Sequence, residues 1–470
     1  MHIERELKFR LTSRALPRLK RFAAERRSVS SVYYDTPGQR LRRAGIALRL
    51  RRDGKRWLQT LKSESTGNAG LAARAEWETA ARRSALDLRA FPADEIKAAT
   101  GLDLGALARR LRPVFATRFV RHSGEVALPH GGRAELCVDR GAIVSGERRE
   151  RIAEAELELK SGSVRGMLRF AEKLSLPLAY ESKAERGYRL ARDLPRTPRT
   201  WRAPALDPSA SPGAAFGSIF TAALAQAGAN AQGVLDSCDP EYLHQMRVGL
   251  RRLRSALRAF GPVVQNAKPL KHGLRGLMKA LGPARDWIVL VQRLAEVQAD
   301  RRLIARARRR SDAETRKARS VAASEEFRLF VLRALRWMDS EPWRPGGESL
   351  ERFAVGSLER LRHKLRRPVD WKSAKPRHKL RIRVKRLRYA CEFFAPCFPD
   401  RAVEHYLKRL RGLQELLGEL NDIAVGRKLL AGMALRHPGV FDVREARLIR
   451  ALSGAWTAFE KQPPYWRALQ

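Results

Sequence analysis

The sequence predicts a multidomain α+β protein: an antiparallel β-barrel with a charged interior, then an all-α region built from a duplicated unit. Three observations carry this. Six segments between residues 3 and 159 alternate charged and apolar side chains with a period of two. A proline-rich stretch at 193–213 ends that pattern, and the apolar period lengthens to about three and a half. Beyond it, two separated matches recur at nearly one offset.

The first segment is the most telling. Glu4, Glu6 and Lys8 share one parity, and Ile3, Leu7 and Phe9 share the other. Successive strand residues point to opposite faces, so two carboxylates and an ammonium line one face. The pattern returns in order along the chain. Arg49 and Arg51 alternate with Leu48 and Leu50, and Thr60 and Lys62 flank Leu61. Arg74, Glu76 and Glu78 alternate with Ala75 and Trp77. Glu135 and Asp139 alternate with Leu136 and Val138, and Glu154, Glu156 and Glu158 with Ala155, Leu157 and Leu159. A half-solvated sheet explains any one segment. Six segments with both signs of charge on one face fit a closed barrel with a polar interior.

Pro195, Pro198, Pro204, Pro208 and Pro212 read as a semi-rigid linker over residues 193–213, because proline removes a donor and fixes φ. This divides the chain into 1–192, the linker, and 214–470. In the last part, residues 244–260 match 378–394, an offset of 134. Leu281, Gly282, Arg285 and Asp286 then match Leu417, Gly418, Asn421 and Asp422 at an offset of 136. A duplicated helical bundle accounts for both. Leu243, Met246, Leu250, Leu253, Leu257 and Phe260 form its apolar seam at three-four spacing. His244, Arg247, Arg251, Arg254 and Arg258 follow one position later, about 100° round the helix. His378, Arg381, Lys385 and Arg388 repeat that basic stripe. Twofold packing of the copies would join the stripes in one basic groove. Arg306–Arg310 and Arg316–Arg319 read as an exposed basic helix, while His363, His405 and His437 carry no pattern.

Composition narrows the partners. The 470 residues carry a formal charge of +45. Residues 1–200 hold 43 Lys and Arg against 24 Asp and Glu, and the remainder 52 against 26, so both parts are basic. A polyanion is the natural partner. The cysteines, Cys137, Cys238, Cys391 and Cys397, form no zinc spacing and suit a reduced, cytoplasmic setting. No apolar run is long enough for a membrane span, and no signal-peptide core follows the N-terminus. P-loop, Rossmann and nucleophile-elbow motifs are missing, which removes those enzyme classes.

The opening E-x-E-x-K resembles the signature of the CYTH, or triphosphate tunnel metalloenzyme, family. The resemblance continues through Tyr33-Tyr34-Asp35-Thr36, Leu48–Arg51, Gln59–Lys62, Arg74–Glu78, Arg121, Glu135–Asp139, Glu154–Lys160 and Ser182–Tyr188. It implies an eight-stranded antiparallel barrel with a tunnel, acting on triphosphates with a divalent metal. Within it, Glu4, Glu6, Glu156, Glu158 and Asp139 are the expected metal ligands, with Glu76 and Glu78 as further candidates. Lys8, Arg49, Arg51, Lys62, Arg121 and Lys183 would grip phosphate oxygens, and Glu4, Glu6 and Lys183 would carry catalysis. Hard oxygen ligands suit Mg²⁺ or Mn²⁺, and guanidinium forks suit phosphate. A buried ion pair inside the barrel is the alternative reading for each of these residues, Glu135, Glu154 and Arg74 most of all.

The second part resembles the CHAD, or conserved histidine α-helical, family, through His244, His378, their Arg/Lys helices and the L-G-x-x-R/N-D signatures. That resemblance implies two four-helix bundles that bind inorganic polyphosphate through His244, Arg247, Arg251, Arg254, His378, Arg381, Lys385 and Arg388. A histidine there gains charge if a polyanion raises its pKa.

Together these resemblances imply a cytoplasmic inorganic triphosphatase held near polyphosphate, such as its granules, without a membrane. Thiamine triphosphate or a nucleoside triphosphate is an alternative substrate, and adenylate cyclisation another outcome of the same family. A non-catalytic sensor of triphosphate and polyphosphate is the alternative from another class. Nucleic-acid binding through the basic helices is the third, for which Tyr389 is the one candidate base-stacking aromatic.

Overall fold

The structure is a computed structural model that describes residues 2–22, 24–63, 69–82, 85–365, 370–371, 373–435 and 439–469. Eight strands form the first part: β1 (His2–Arg10), β2 (Glu25–Asp35), β3 (Ile46–Asp53), β4 (Arg56–Ser63), β5 (Leu71–Ala80), β6 (Arg112–Ala127), β7 (Arg133–Ser145) and β8 (Arg148–Ser161). They close into an antiparallel barrel in the order β1-β5-β4-β3-β2-β6-β7-β8. Six helices accompany them: α1 (Leu16–Lys20), α2 (Arg40–Arg43), α3 (Ala93–Thr100), α4 (Leu104–Leu107), α5 (Val164–Leu174) and α6 (Lys183–Ala191).

Register carries one face around the whole ring. Glu4 pairs Arg74, Lys62 pairs Glu76, Arg49 pairs Thr60, and Tyr33 pairs Arg49. Arg27 pairs Arg121, Arg121 pairs Asp139, Asp139 pairs Glu154, and Lys8 pairs Glu156. Directly paired residues share a face. The charged parity is therefore the lumen, as the alternation predicts. The opposite parity is covered over part of the ring, while Ile3, Arg26, Ser28 and Arg118 on it are exposed. Leu48, Leu61 and Trp77 pack with Leu41, Phe91, Ile96, Leu104 and Leu107 beneath α2, α3 and α4. On the other side α5 covers β8 and buries Met167, Leu168 and Ala171. Each such leucine contributes about 2 kcal/mol by leaving water.

The lumen is itself graded. Inward residues towards one end, Val29, Tyr33, Phe115, Phe119, Ile143 and Ile152, form an apolar cluster with Tyr188 of α6. At the other end Arg27, Glu135, Glu158 and Lys160 are partly exposed. The charged section lies between an open mouth and an apolar plug.

Residues 193–210 form no helix or strand. The helical part follows as α7 (Pro212–Asp236), α8 (Pro240–Ala259), α9 (Lys268–Ala280), α10 (Gly282–Glu296), α11 (Arg301–Ala322), α12 (Glu325–Asp339), α13 (Leu350–His363), α14 (Ala374–Phe394), α15 (Asp400–Ala431) and α16 (Val440–Glu460). The repeat maps α8 onto α14 and α9 plus α10 onto α15. Pro283 explains why the first copy breaks where the second runs on for 32 residues, since proline cannot continue a helix's hydrogen bonds. Leu243, Met246, Leu250, Leu253, Leu257 and Phe260 are all buried, so the seam is as spaced in the sequence. Gly249 lets α8 approach α7, because a Cβ there would lie 2.7 Å from the Ala227 backbone nitrogen.

Two compact units emerge: Met1–Arg199 with Arg328–Asp339, and Thr200–Phe327 with Ser340–Gln470. Among the described residues no helix is long and apolar enough to cross a membrane.

Candidate functional site

Both glutamates of the opening motif lie in the lumen. Glu4 accepts from Lys62 Nζ at 2.8 Å, and Lys62 also lies 3.1 Å from Glu76. Glu6 meets Arg74 at 2.5 Å and Lys8 at 3.1 Å. Lys8 also binds Glu156 of β8. Burial would raise the Glu6 pKa, yet Lys8 and Arg74 together hold it down at about 2.

A second cluster forms where β7, β8 and α6 meet. Arg121 grips Asp139 with two bonds of 2.8 and 2.7 Å, and reaches Glu156 at 2.7 Å. The Lys183 ammonium lies 2.7 Å from Asp139 and 3.0 Å from Glu156, and also pairs with Glu154. Local sequence places Lys183 there. Ser182 and Glu185 form a capping box that starts α6, so Lys183 becomes its first residue. A cation at a helix N-terminus opposes the helix dipole. Three carboxylates outweigh that, and they raise the Lys183 pKa despite burial.

Asp139, Glu154 and Glu156 offer ligand oxygens within 4.8 Å of one another, a donor set suited to a hard divalent cation. Glu158 sits further out, paired with Lys160 at 2.6 Å, and burial raises its pKa. Glu78 is exposed and accepts from Thr60 at 3.0 Å.

On β3 Arg51 is less compensated than Arg49, whose pKa burial would lower but Tyr33, Glu76 and Glu4 raise. In the ring order β3 is four strands from β8 in either direction, so Arg49 and Arg51 face the β8 glutamates across the lumen. Burial and the neighbouring Arg49 and Arg121 push the Arg51 pKa down to about 10. Its side-chain hydrogen bond runs to Ser31 at 3.4 Å. Arg49 approaches Glu76 at 4.0 Å, and its buried Nε has no partner. Burial would raise the Tyr33 phenol, but Arg49 and Arg51 pull it below its ordinary value. Positive charge is in excess around Arg51, and an anion would offset it.

In the helical unit α8 packs on α14, and the two basic stripes share a field. Burial, then Arg381, Arg251 and Arg388, push the Lys385 pKa down to about 6. Burial, then Arg285, Arg251, Arg247 and Lys385, push His244 down to about 3. His244 is therefore neutral in the free protein. His378 is exposed and meets the Asn421 side chain at 2.9 Å. Arg254 is exposed, whereas Arg388 is held by Gln414 at 2.6 Å and by Glu392. Tyr389 does not offer a stacking face. It is 3 % exposed, with Arg252 and Arg388 over its ring at 5.1 and 4.5 Å. His363 and His405 lie apart from these stripes in sequence, and His437 lies outside the described residues.

The CYTH domain family matches residues 2–188, and the CHAD domain family matches residues 218–431. The chain carries a CYTH domain followed by a CHAD domain. An inorganic triphosphatase from Haemophilus influenzae is 30 % identical over 173 residues, covering 34 % of this chain and 46 % of that relative. This chain thus matches about half the length of that relative. The CHAD domain structure from the plant Ricinus communis is 29 % identical, covering 58 % of this chain and 95 % of that one, with a TM-score of 0.47. A Hippeastrum protein, described as an adenylyl cyclase with a dominant triphosphatase activity, is 20 % identical at a TM-score of 0.28, covering 38 % and 91 %.

Sequence reasoning gave the CYTH lumen its charged residues but ranked some differently. Glu154 is not among the ligands expected from the sequence; it pairs with Arg186 at 3.0 Å and also belongs to the three-carboxylate cluster. Its parity with Glu156 was the available signal. Tyr33 and Tyr188 lie in motifs of the resemblance, but nothing in their local pattern marks them as residues of the apolar plug. In the CHAD domain Asp286 and Asp422 were read as signature residues only. Burial raises both pKa values, and each feels Arg381 nearby.

Proposed function

We propose that the CYTH barrel hydrolyses inorganic triphosphate to pyrophosphate and phosphate, and that the CHAD domain binds inorganic polyphosphate. One observation carries the first half. The lumen sets a cationic wall of Arg49 and the under-compensated Arg51 across from a carboxylate wall on β1, β7 and β8. A linear polyanion fits along the cationic wall, and divalent cations fit the acidic one. Lys8, Lys62, Arg121 and Lys183 bridge the two walls and would take phosphate oxygens as metals take over their carboxylates. Phosphoryl transfer needs mostly such positioning and charge neutralisation.

The donor set of Asp139, Glu154 and Glu156 fits Mg²⁺ or Mn²⁺ and would hold the metal, with Glu4, Glu6 and Glu158 as the further carboxylate ligands. Such a metal would neutralise phosphate charge and lower the pKa of a bound water. The chain's own part is to hold the triphosphate straight, exclude water from the plugged end and keep the terminal phosphate at the acidic wall.

For the second half, burial and then the cations of the joined stripes bring the Lys385 pKa down to about 6. A phosphate polymer relieves the cationic crowding. The Tyr389 ring is buried, which disfavours reading of nucleobases. The four free cysteines suit a reducing cytoplasm, where the CHAD domain would hold the enzyme near polyphosphate granules.

The test is phosphate release with Mg²⁺ and then Mn²⁺, offering inorganic triphosphate, ATP, thiamine triphosphate and long polyphosphate in parallel. Selective release from inorganic triphosphate is expected. Preference for ATP or thiamine triphosphate would move the substrate within the family. Binding without release from any of them would make the barrel a sensor.

A further inference from the structure

Helix α9 carries charge that the proposed groove does not use. Its thirteen residues include Lys268, Lys271, His272, Arg275 and Lys279 and no acidic residue. Leu270, Leu274 and Leu277 are buried, and all five basic side chains are exposed. Among the described residues none of the five meets a carboxylate or a hydrogen-bond partner. Lys271, Arg275 and Lys279 are spaced by four, so they form one row about 12 Å long.

The duplication shows that this row is not a by-product of the fold. At the offset of 136, Lys268 corresponds to Glu404, Lys271 to Leu407, Arg275 to Arg411 and Lys279 to Glu415. The second copy builds the same helix with mixed charge. A bundle therefore does not require an all-cationic face here. The row also leads somewhere. Arg247, the first arginine of the α8 stripe, donates to the Met278 carbonyl at 3.2 Å. The last turn of α9, with Lys279, thus abuts the head of the basic stripe.

We infer that the α9 row is a second contact for inorganic polyphosphate, an entry track that extends the α8–α14 stripe and favours long chains. This rests on the polyphosphate reading of the CHAD domain. Phosphate polymer without bases is the occupant the surface fits, because neither α9 nor the neighbouring basic α11 carries a Phe, Tyr or Trp on which bases could stack. Fixed rows of unpaired cations release counterions on binding a polyanion, so each contact adds salt dependence.

The test is binding of labelled long-chain polyphosphate to the full chain across a salt series. Three variants are compared: the triple K271Q/R275Q/K279Q, a charge-matched triple R401Q/K408Q/R411Q on α15, and R251E/R381E in the stripe. Thermal melts confirm that each is folded. The α9 triple is expected to weaken binding on the order of tenfold at low salt and to flatten the log–log salt slope by roughly two, about 0.7 per contact. The α15 triple is expected to stay within about twofold of the unaltered chain. An α9 triple that binds like the unaltered chain, or an α15 triple that loses as much, overturns the entry track. Equal competition by single-stranded RNA overturns the choice of polymer. Binding that survives R251E/R381E intact overturns the underlying groove instead, and that outcome is separable because it leaves the α9 comparison readable.

Discussion

The Tyr188 hydroxyl donates to the Asp35 carboxylate at 3.0 Å, tying the helix that carries Lys183 to the end of β2. Asp35 is fully buried and also accepts from the backbone of Thr36, Leu41 and Arg42 at 2.7, 3.0 and 3.0 Å. One carboxylate thus caps α2 and anchors α6. Tyr188→Phe removes a single bond and leaves the three backbone donors in place. It should destabilise the protein by about 1–2 kcal/mol in urea melts. Triphosphate turnover should fall several-fold with little change in KM, because Lys183 loses its bearing more than the phosphate wall does. Unchanged turnover would show that the capping box alone positions Lys183.

The same helix is pinned by a close approach. A Cβ on Gly187 would lie 2.1–2.4 Å from the Phe115 ring. Phe115 cannot retreat freely, since it stacks on Tyr33 at 4.4 Å and meets Tyr188 edge-on at 5.3 Å. Gly187→Ala should therefore cost about 1–3 kcal/mol as overpacking, read from the urea midpoint. A neutral result would mean that the plug is loosely filled.

Much of the barrel was legible because charge on the inner face and apolar side chains on the outer face leave a period-two record. The charged section of the lumen and the leucines that meet α2, α3, α4 and α5 fall on opposite parities, and the strand period keeps the two apart. Closure through β1 with β8 was not written in any one segment, and came from the family resemblance. The α6 contacts were the hardest to read. Asp35 and Tyr188 lie 153 positions apart, and nothing local marks them as partners. In the CHAD domain the stripe itself was visible, but its crowding was not. Periodicity places Lys385 on a face, and only packing against α8 shows that Arg251 stands beside it.

Lys183 occupies the middle of Asp139, Glu154 and Glu156, so it competes with any divalent cation for those oxygens. Lys183→Met should raise the affinity for Mn²⁺ in the absence of substrate, measured from the free-ion resonance signal. The same variant should hydrolyse triphosphate at least about tenfold more slowly, having lost one phosphate cation. Weaker Mn²⁺ binding would place the metal away from this cluster.

Removal of the β1 carboxylates should separate the two activities. Glu6→Ala leaves Lys8 and Arg74 without a shared partner and takes away an expected metal ligand. Turnover should fall by about 100-fold or more, while long-chain polyphosphate binding stays intact. Charge reversal at Arg247 and Arg381 should do the opposite. Full turnover in Glu6→Ala would remove that residue from the metal site.

Lys385 predicts a pH dependence whose sign can be fixed. Its pKa in the folded protein is about 6, against an ordinary value of 10.5, because burial and the cations Arg381, Arg251 and Arg388 disfavour charge. Between pH 6 and 10.5 the unfolded chain binds the extra proton, so this group makes folding more favourable as pH rises through that window. Polyphosphate reverses the local field and restores the ammonium, so binding near pH 8 takes up a proton. Affinity should then fall as pH rises from 6 to 9, by at most about tenfold per unit for one proton. Calorimetry in buffers of different ionisation enthalpy would count the protons taken up. Lys385→Gln should lower that count by about one and flatten the profile. A count unchanged by Lys385→Gln would assign the proton to another group in the groove, for which His244, held down at about 3 by burial and by Arg285, Arg251 and Arg247, is the next to test.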